Sequence, residues 1–482
     1  MSAPKKILIA LLVIVLILAG VGFWLTRGQS AEVAFAKVTG VDPQITKPRD
    51  ETFPTIKIAK PIGWAAGETP TAAAGLSVTR FAEGLDHPRT MITLPNGDVL
   101  VALTQAPASA DGGSNFLVRW ITEYIMRKAG AAGKSANQIV LLRDSNGDGK
   151  ADQRFVLSNK FNSPSGMAWR DGTLYVADND ALLSFPYQLG ATTLAWNPTK
   201  LMDLAAGGEH WMRNIVLSPD GSKLYVAVGS ATNIADHGLK AEEGRALIWE
   251  YDLKSRQQRT FGAGMRNPNG LAFSPWTGEL WTTVNERDMT GPDLVPDYLT
   301  NVPVGAHYGW PWVYWKDIVD DRVNAPMPQF LTSYTRKPEY ALGPHVAALG
   351  LVFTAGGARL GDGFASGAFV AEHGSWNRKP PSGYDVVYVP FDKRGNPTGT
   401  PVPVLTGFLT PNGQTHGRPT WLTWAKDGAL LVSDDTAGII WRVIKPGAAP
   451  DSAIEQLKGP PLPPQKELHG DMQAEIPSTQ PQ

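Results

Sequence analysis

The sequence predicts an all-β fold, a six-bladed β-propeller preceded by an N-terminal transmembrane helix. Three observations carry that prediction. Six times the chain reads a turn, a Gly and then an apolar strand: Pro95–Leu103, Arg170–Asp178, Pro219–Gly229, Thr277–Glu286, Ser366–Gly374 and Lys426–Asp435. A tight Gly turn followed by a β-rich apolar run marks entry to a strand, and its return every roughly 50 to 90 residues marks one supersecondary unit repeated with insertions. The composition agrees, with 50 Gly, 39 Pro and 16 Trp in 482 residues, which is the usage of a turn-rich β protein with aromatic packing. The third observation is an uninterrupted apolar run from Ile7 to Leu25 behind Lys5 and Lys6.

In chain order, residues 1–30 form the signal anchor. Ile7–Leu25 reaches about 28 Å as a helix, close to the hydrocarbon thickness of a bilayer. The preceding lysines place the N-terminus in the cytoplasm and the rest of the chain outside, giving an expected location in the inner membrane with the folded domain in the periplasm. A cleaved signal peptide is the alternative. Residues 31–75, rich in Pro, Thr, Ala and Lys with weak strand character, read as a linker. The propeller spans 76–445, and 446–482 reads as a flexible tail. Within the first repeat, Phe116–Lys128 has helical apolar spacing and reads as an inserted surface helix.

The net charge of −1 provides no broad footprint for nucleic acid. With no cysteine, thiolate catalysis, Cys-ligated metals and disulfides are excluded. No dinucleotide-binding or phosphate-binding glycine motif is present, and HGSW lacks the nucleophile-elbow pattern.

Polar residues cluster beside the strand signals. His210 stands in a loop ahead of a strand, where a neutral imidazole could accept a proton from a substrate hydroxyl or serve as a bonded loop histidine. Arg266 and Asn267 sit in a Gly- and Pro-framed loop, and Arg offers a planar fork to carboxylates or a developing negative charge. The stretch Val284–Asp297 is dense in oxygen ligands suited to a hard cation or to Asx turns. Asp144, Asn146, Asp148 and Asp152 follow a calcium-loop spacing, but the twelfth position is Phe155 rather than Glu, so the EF-hand pattern fails and a hairpin turn remains open. His345, His373, Arg378, His416 and Arg418 lie beside the last blades. On a propeller these groups converge on one channel mouth, and converging cations call for an anionic partner.

Together, RNPNGLAF, NERD-x-x-GPDLVPDYLT, HYGWPW, EHGSWNR and DDTAGIIWRV resemble the glucose/sorbosone dehydrogenase family, whose members are soluble quinoproteins using pyrroloquinoline quinone (PQQ); the L-sorbosone dehydrogenases are the nearest subgroup. The resemblance implies PQQ and Ca2+ as cofactors and a sugar or sugar aldehyde as substrate, with electrons passing to a membrane quinone or a redox protein. It assigns His210 as base and Arg266 as the group facing the quinone oxygen. It assigns Asn267, His345, His373, Arg378, Arg418, Thr436 and Asn162 to the cofactor, and positions 286 and 287 (Glu286, Arg287), with Asn285, to calcium through backbone carbonyls. Three departures stand out: Glu-Arg replaces Gly-Pro at the calcium carbonyls, His373 or Arg378 stands in for a cofactor-binding Lys, and NSPSG (Asn162–Gly166) replaces NQPFG. A calcium-dependent propeller lactonase and a non-catalytic carbohydrate-binding propeller are the competing readings.

Overall fold

The computed structural model describes residues 27–107 and 133–457, with residues 5, 12–17 and 20. The helix expected at Phe116–Lys128 and the tail beyond 457 lie outside the described residues, as does most of the apolar run. Six antiparallel sheets follow one another along the chain. Their inner strands are Pro88–Thr93, Gly166–Arg170, Arg213–Leu217, Asn267–Phe273, Ala348–Phe353 and Pro419–Trp424, which define blades 1 to 6. Inner strands of consecutive blades touch, and Pro419–Trp424 closes against Pro88–Thr93. The ring is therefore a six-bladed propeller.

Every one of the six sequence signals becomes the second strand of its blade: Val99–Leu103, Thr173–Ala177, Lys223–Val228, Leu280–Asn285, Gly367–Glu372 and Leu430–Asp434. These strands lie between neighbouring blades and are packed on both faces, so Val99–Leu103 and Leu430–Asp434 are buried throughout. The outer strand Gln153–Ser158 is largely exposed. Blade 6 takes its outer strand, Ser77–Ala82, from the N-terminal side, pairing Val78 with Val443. This pairing ties the two ends of the propeller together.

The inner strands approach closely because small residues stand where backbones meet. A Cβ on Gly270 would lie 2.4 Å from the Leu349 carbonyl of the next blade. Register shifts near the first residues of the inner strands in blades 1, 4, 5 and 6 re-aim side chains at the channel mouth. Aromatic residues fill the gaps between blades, as where Trp276 and Phe391 stack with centroids 5.3 Å apart.

Two expectations are corrected. Residues 31–75 are a docked strap rather than a linker. Thr71–Ala72 adds a strand to the edge of blade 5, Lys60–Pro61 pairs with Gln414–Thr415, and buried Glu51 accepts hydrogen bonds from Thr55 and Asn377. Main-chain pairing and isolated apolar anchors such as Val38, Ala59 and Trp64 hold this segment, and because the anchors are irregularly spaced its apolar pattern is weak. The tail also remains attached as far as it is described: Asp451 exchanges two backbone hydrogen bonds with Gly357 and Ala358, and Leu457 bonds to Trp276. Among the described residues no helix is long and apolar enough to cross a membrane.

Candidate active site

In each blade the loop entering the inner strand and the loop leaving the second strand lie at the same end, because the two strands are antiparallel neighbours. His210, Arg266, Asn267, His345 and Arg418 arrive by the first route. Asn285–Asp288, His373, Asp435 and Thr436 arrive by the second.

Blades 3 and 4 build one wall. The Nδ1 of His210 is 2.9 Å from the Ser230 carbonyl and 3.0 Å from its hydroxyl, which itself donates to Thr232. Nδ1 therefore carries the proton, and Nε2 keeps its lone pair. Burial and the neighbouring Arg266 push the His210 pKa down to about 3, so the ring is neutral. Gly229 lets His210 and Asn267 meet: a Cβ there would be 2.6 Å from His210 and 2.3 Å from the Asn267 amide oxygen. Arg266 is locked at every nitrogen, donating to the Glu286 carbonyl at 2.7 Å, to Asp288 at 2.9 Å and to the Asn233 carbonyl at 3.2 Å. Asp288 also faces His345 Nδ1 at 3.3 Å. Burial opposes its charge, but Arg266 and then His345 outweigh it and hold the carboxyl below its ordinary range. Burial likewise opposes a charged His345, and its hydrogen bond to Asp288 prevails and raises its pKa. Below this cluster an amide relay runs from Asn267 and Asn269 to Asn285, whose own amide donates to Ala348.

Blades 5, 6 and 1 build the facing wall. Arg89, which the sequence reading missed, is its hub. It donates to Asp435 at 2.5 Å, lies 3.5 Å from His373 Nε2, reaches Met212 Sδ at 3.1 Å and stands over the Trp211 ring at 5.6 Å. One guanidinium thus joins blades 1, 5 and 6 to the His210 loop. His373 Nε2 is 3.0 Å from Asp435. Burial pushes its pKa down to about 4, with Arg418 and Arg89 adding to the shift against the pull of Asp435. The ring is neutral and donates to Asp435, while Arg89 is the carboxylate's charge partner. Arg418 is 7% exposed, stacks over Tyr384 at 5.2 Å and donates to its hydroxyl at 3.2 Å. Its Nε is buried without a partner, and among the described residues no carboxylate pairs with it.

The remaining expected residues divide. Thr436 reaches the site only through its hydroxyl's bond to Asp435. Arg378 points away: it donates to Pro292 and Pro380 and packs over Phe35 of the strap, bracing the rim. Asn162 is exposed, and His416 stacks on Trp64 and bonds to Gly63. Glu286 and Arg287 pair with each other at 2.9 Å, and fully buried Arg287 pins the insertion of blade 4 through Pro311, Val313 and Asp320. Asn285 serves the amide relay. Side chains at 285–287 therefore offer no cation cage, and among the described residues no group of three acids or histidines is spaced for a metal. Main-chain oxygens are the donors left there, and the Glu286 carbonyl, which accepts Arg266 Nη1, keeps a second lone pair. The Asp144 carboxylate accepts the amides of Gly147, Asp148 and Gly149, which is an Asx-type turn. Arg89 was legible in principle, since HPRT opens an inner strand just as RNPNG does.

A family model described as TrAA12-like matches residues 132–295 and 329–446. A pyrroloquinoline quinone-dependent pyranose dehydrogenase of Coprinopsis cinerea is 26% identical over 433 residues, covering 76% of this chain and 56% of that protein. The chain spans less than two thirds of the length of the curated relatives it matches first. Among solved structures, the Carbohydrate-Active Enzymes family AA12 protein of Trichoderma reesei superposes with a TM-score of 0.62 at 20% identity, covering 78% of this chain and 97% of the other. The PQQ domain of the Coprinopsis cinerea pyranose dehydrogenase superposes with a TM-score of 0.60 at 22% identity, covering 80% and 100%. These likenesses agree with the propeller fold.

Proposed function

The chain belongs to the TrAA12-like family, and from that premise we propose that it is a PQQ-dependent sugar dehydrogenase, acting on a sugar or a sorbosone-like sugar aldehyde. The observation that carries the proposal is Arg418, a buried guanidinium with an orphaned Nε and no carboxylate partner. A buried cation without an anion is costly, and a polycarboxylate ligand resolves that cost. Arg418, Arg89 and His373 are the groups to hold its carboxylates, with Asn267 and His345 on the opposite wall. Calcium is typical of the family, and main-chain oxygens at 286 and 287 are its candidate ligands here.

PQQ, when bound, supplies a two-electron acceptor for a hydride leaving carbon. The chain's own residues do the rest. His210 presents an unprotonated Nε2 to take the proton of a substrate hydroxyl, or of an aldehyde hydrate, while Ser230 fixes its tautomer. Arg266, already oriented by Asp288 and two carbonyls, stands ready to face negative charge without reorganising. The electrons pass to a membrane quinone or a redox protein, and the domain stands on the periplasmic face of the inner membrane behind Ile7–Leu25.

The test is to add PQQ and calcium to the apo protein, follow cofactor uptake by absorbance, and assay dye reduction across a sugar and sugar-aldehyde panel. Wild type is expected to bind and turn over, and His210→Ala to bind but not turn over. No uptake of PQQ with calcium present overturns the proposal.

A further inference from the structure

We propose that the channel mouth faces the bilayer, with a rim of Phe53, Ile56 and Trp376 seated in the lipid headgroup region. Just after its apolar run the chain is tied to the propeller. Gln29 bonds through its backbone to Thr55 at 2.7 Å, Ala31 to the Lys379 carbonyl at 2.8 Å and Glu32 to the Asp293 carboxylate at 2.7 Å. Asp293 and Lys379 belong to the very loops that carry Asp288 and His373 to the mouth. The chain is thus fixed to the mouth within about six residues of Leu25, a reach of at most about 20 Å. The opposite end of the propeller, where the hairpin turns lie, is a further strand length away, about 20 Å.

Three more observations point the same way. Leu12–Ile17 are helical, apolar on every side and 47–62% exposed, so this stretch does not pack on the propeller and needs an apolar medium. Phe53, Ile56 and Trp376 are 49%, 46% and 41% exposed on the strap and loop that meet through the bond from Lys57 to the Trp376 carbonyl. Lys57 and Lys379 are exposed beside them. An aromatic and aliphatic rim with flanking lysines suits an anionic membrane surface. An acceptor dissolved in the bilayer then meets the mouth directly.

The chain has no cysteine, so single cysteines report cleanly. Full-length Phe53→Cys, Ile56→Cys and Asp171→Cys variants carry a bimane label; Asp171 lies in a turn at the far end with its side chain 87% exposed. They are reconstituted in vesicles of phosphatidylcholine and phosphatidylglycerol containing a spin-labelled lipid. Labels at 53 and 56 are expected to be quenched several-fold more than the label at 171, at every protein density. Equal quenching at both ends, or none at 53 and 56, overturns the proposal. A spectral change that grows with protein density without lipid quenching assigns the rim to a second copy and also overturns it. Circular dichroism verifies that each labelled variant is folded, and intrinsic quenching of tryptophan compared with Trp376→Phe repeats the measurement without labels. Neither readout needs turnover, so the orientation stands or falls apart from the redox assignment.

Discussion

Replacing Arg418 with Met separates a ligand-binding role from a structural one. In the apo protein the guanidinium makes one hydrogen bond to Tyr384 and stacks on its ring, worth about 1 kcal/mol and about 0.5–1 kcal/mol respectively. Against this stands a buried Nε with no partner, costing about 1–3 kcal/mol. The two sides nearly cancel, and Met fills much of the same space, so Arg418→Met is expected to change apo stability by no more than about 1 kcal/mol. Cofactor binding has no such cancellation. Loss of a charge-assisted hydrogen bond of about 1.5–3 kcal/mol weakens PQQ by roughly 10- to 100-fold. Urea denaturation of the apo variant and titration with PQQ followed by tryptophan fluorescence measure the two quantities. Destabilisation by about 3 kcal/mol or more with unchanged PQQ affinity would show Arg418 to be a structural strut and not a ligand-binding group.

Two further outcomes follow from the geometry. Asp178 is buried with one oxygen unpartnered, and burial raises its pKa to about 7; because the folded value lies above the unfolded one, its favourable contribution is whole below about pH 4 and fades as pH rises through 7. Asp178→Asn should therefore flatten the apo stability profile between pH 4 and 7, by up to about 4 kcal/mol, and an unchanged profile in urea melts would show that the carboxyl is solvated. Glu51→Ala removes the acceptor for Thr55 and Asn377, and Asn377 in turn accepts the Met289 amide beside Asp288; it should cost about 1–3 kcal/mol and make the strap a site of proteolysis, whereas a strap as resistant as in wild type would show that its backbone bonds suffice.

The repeat was legible because in most blades a short, Gly-containing hairpin joins the inner to the second strand, as at 94–98, 171–172 and 218–222. PNG, RDG, PDG and KDG carry the turn chemistry openly, and the second strand is buried on both faces. Closure by Ser77–Ala82 was not legible, since its partner lies hundreds of residues away and outer strands carry little pattern. The strap was misread for a related reason: backbone groups, a buried acid and isolated anchors such as Val38, Ala59 and Trp64 hold it, and none of these leaves periodicity. In the site, His210, Arg266 and Arg418 were visible as polar residues ahead of strands. Arg89 stands at the start of its strand in much the same way, but its meaning, like that of Asp435, arises only when blades 1, 5 and 6 close on one another. Arg378 sits in the same motif as His373, yet Phe35, Pro292 and Pro380 draw it to the rim.

On the function proposed above, a polycarboxylate quinone completes the pit among Arg89, His373 and Arg418. A crystal structure of the protein with PQQ tests it most directly. A cofactor carboxylate is expected on the Arg418 guanidinium, with the His210 Nε2 open to the substrate side; PQQ bound outside the channel mouth, or a pit left as it is while the cofactor is in excess, would rule this out.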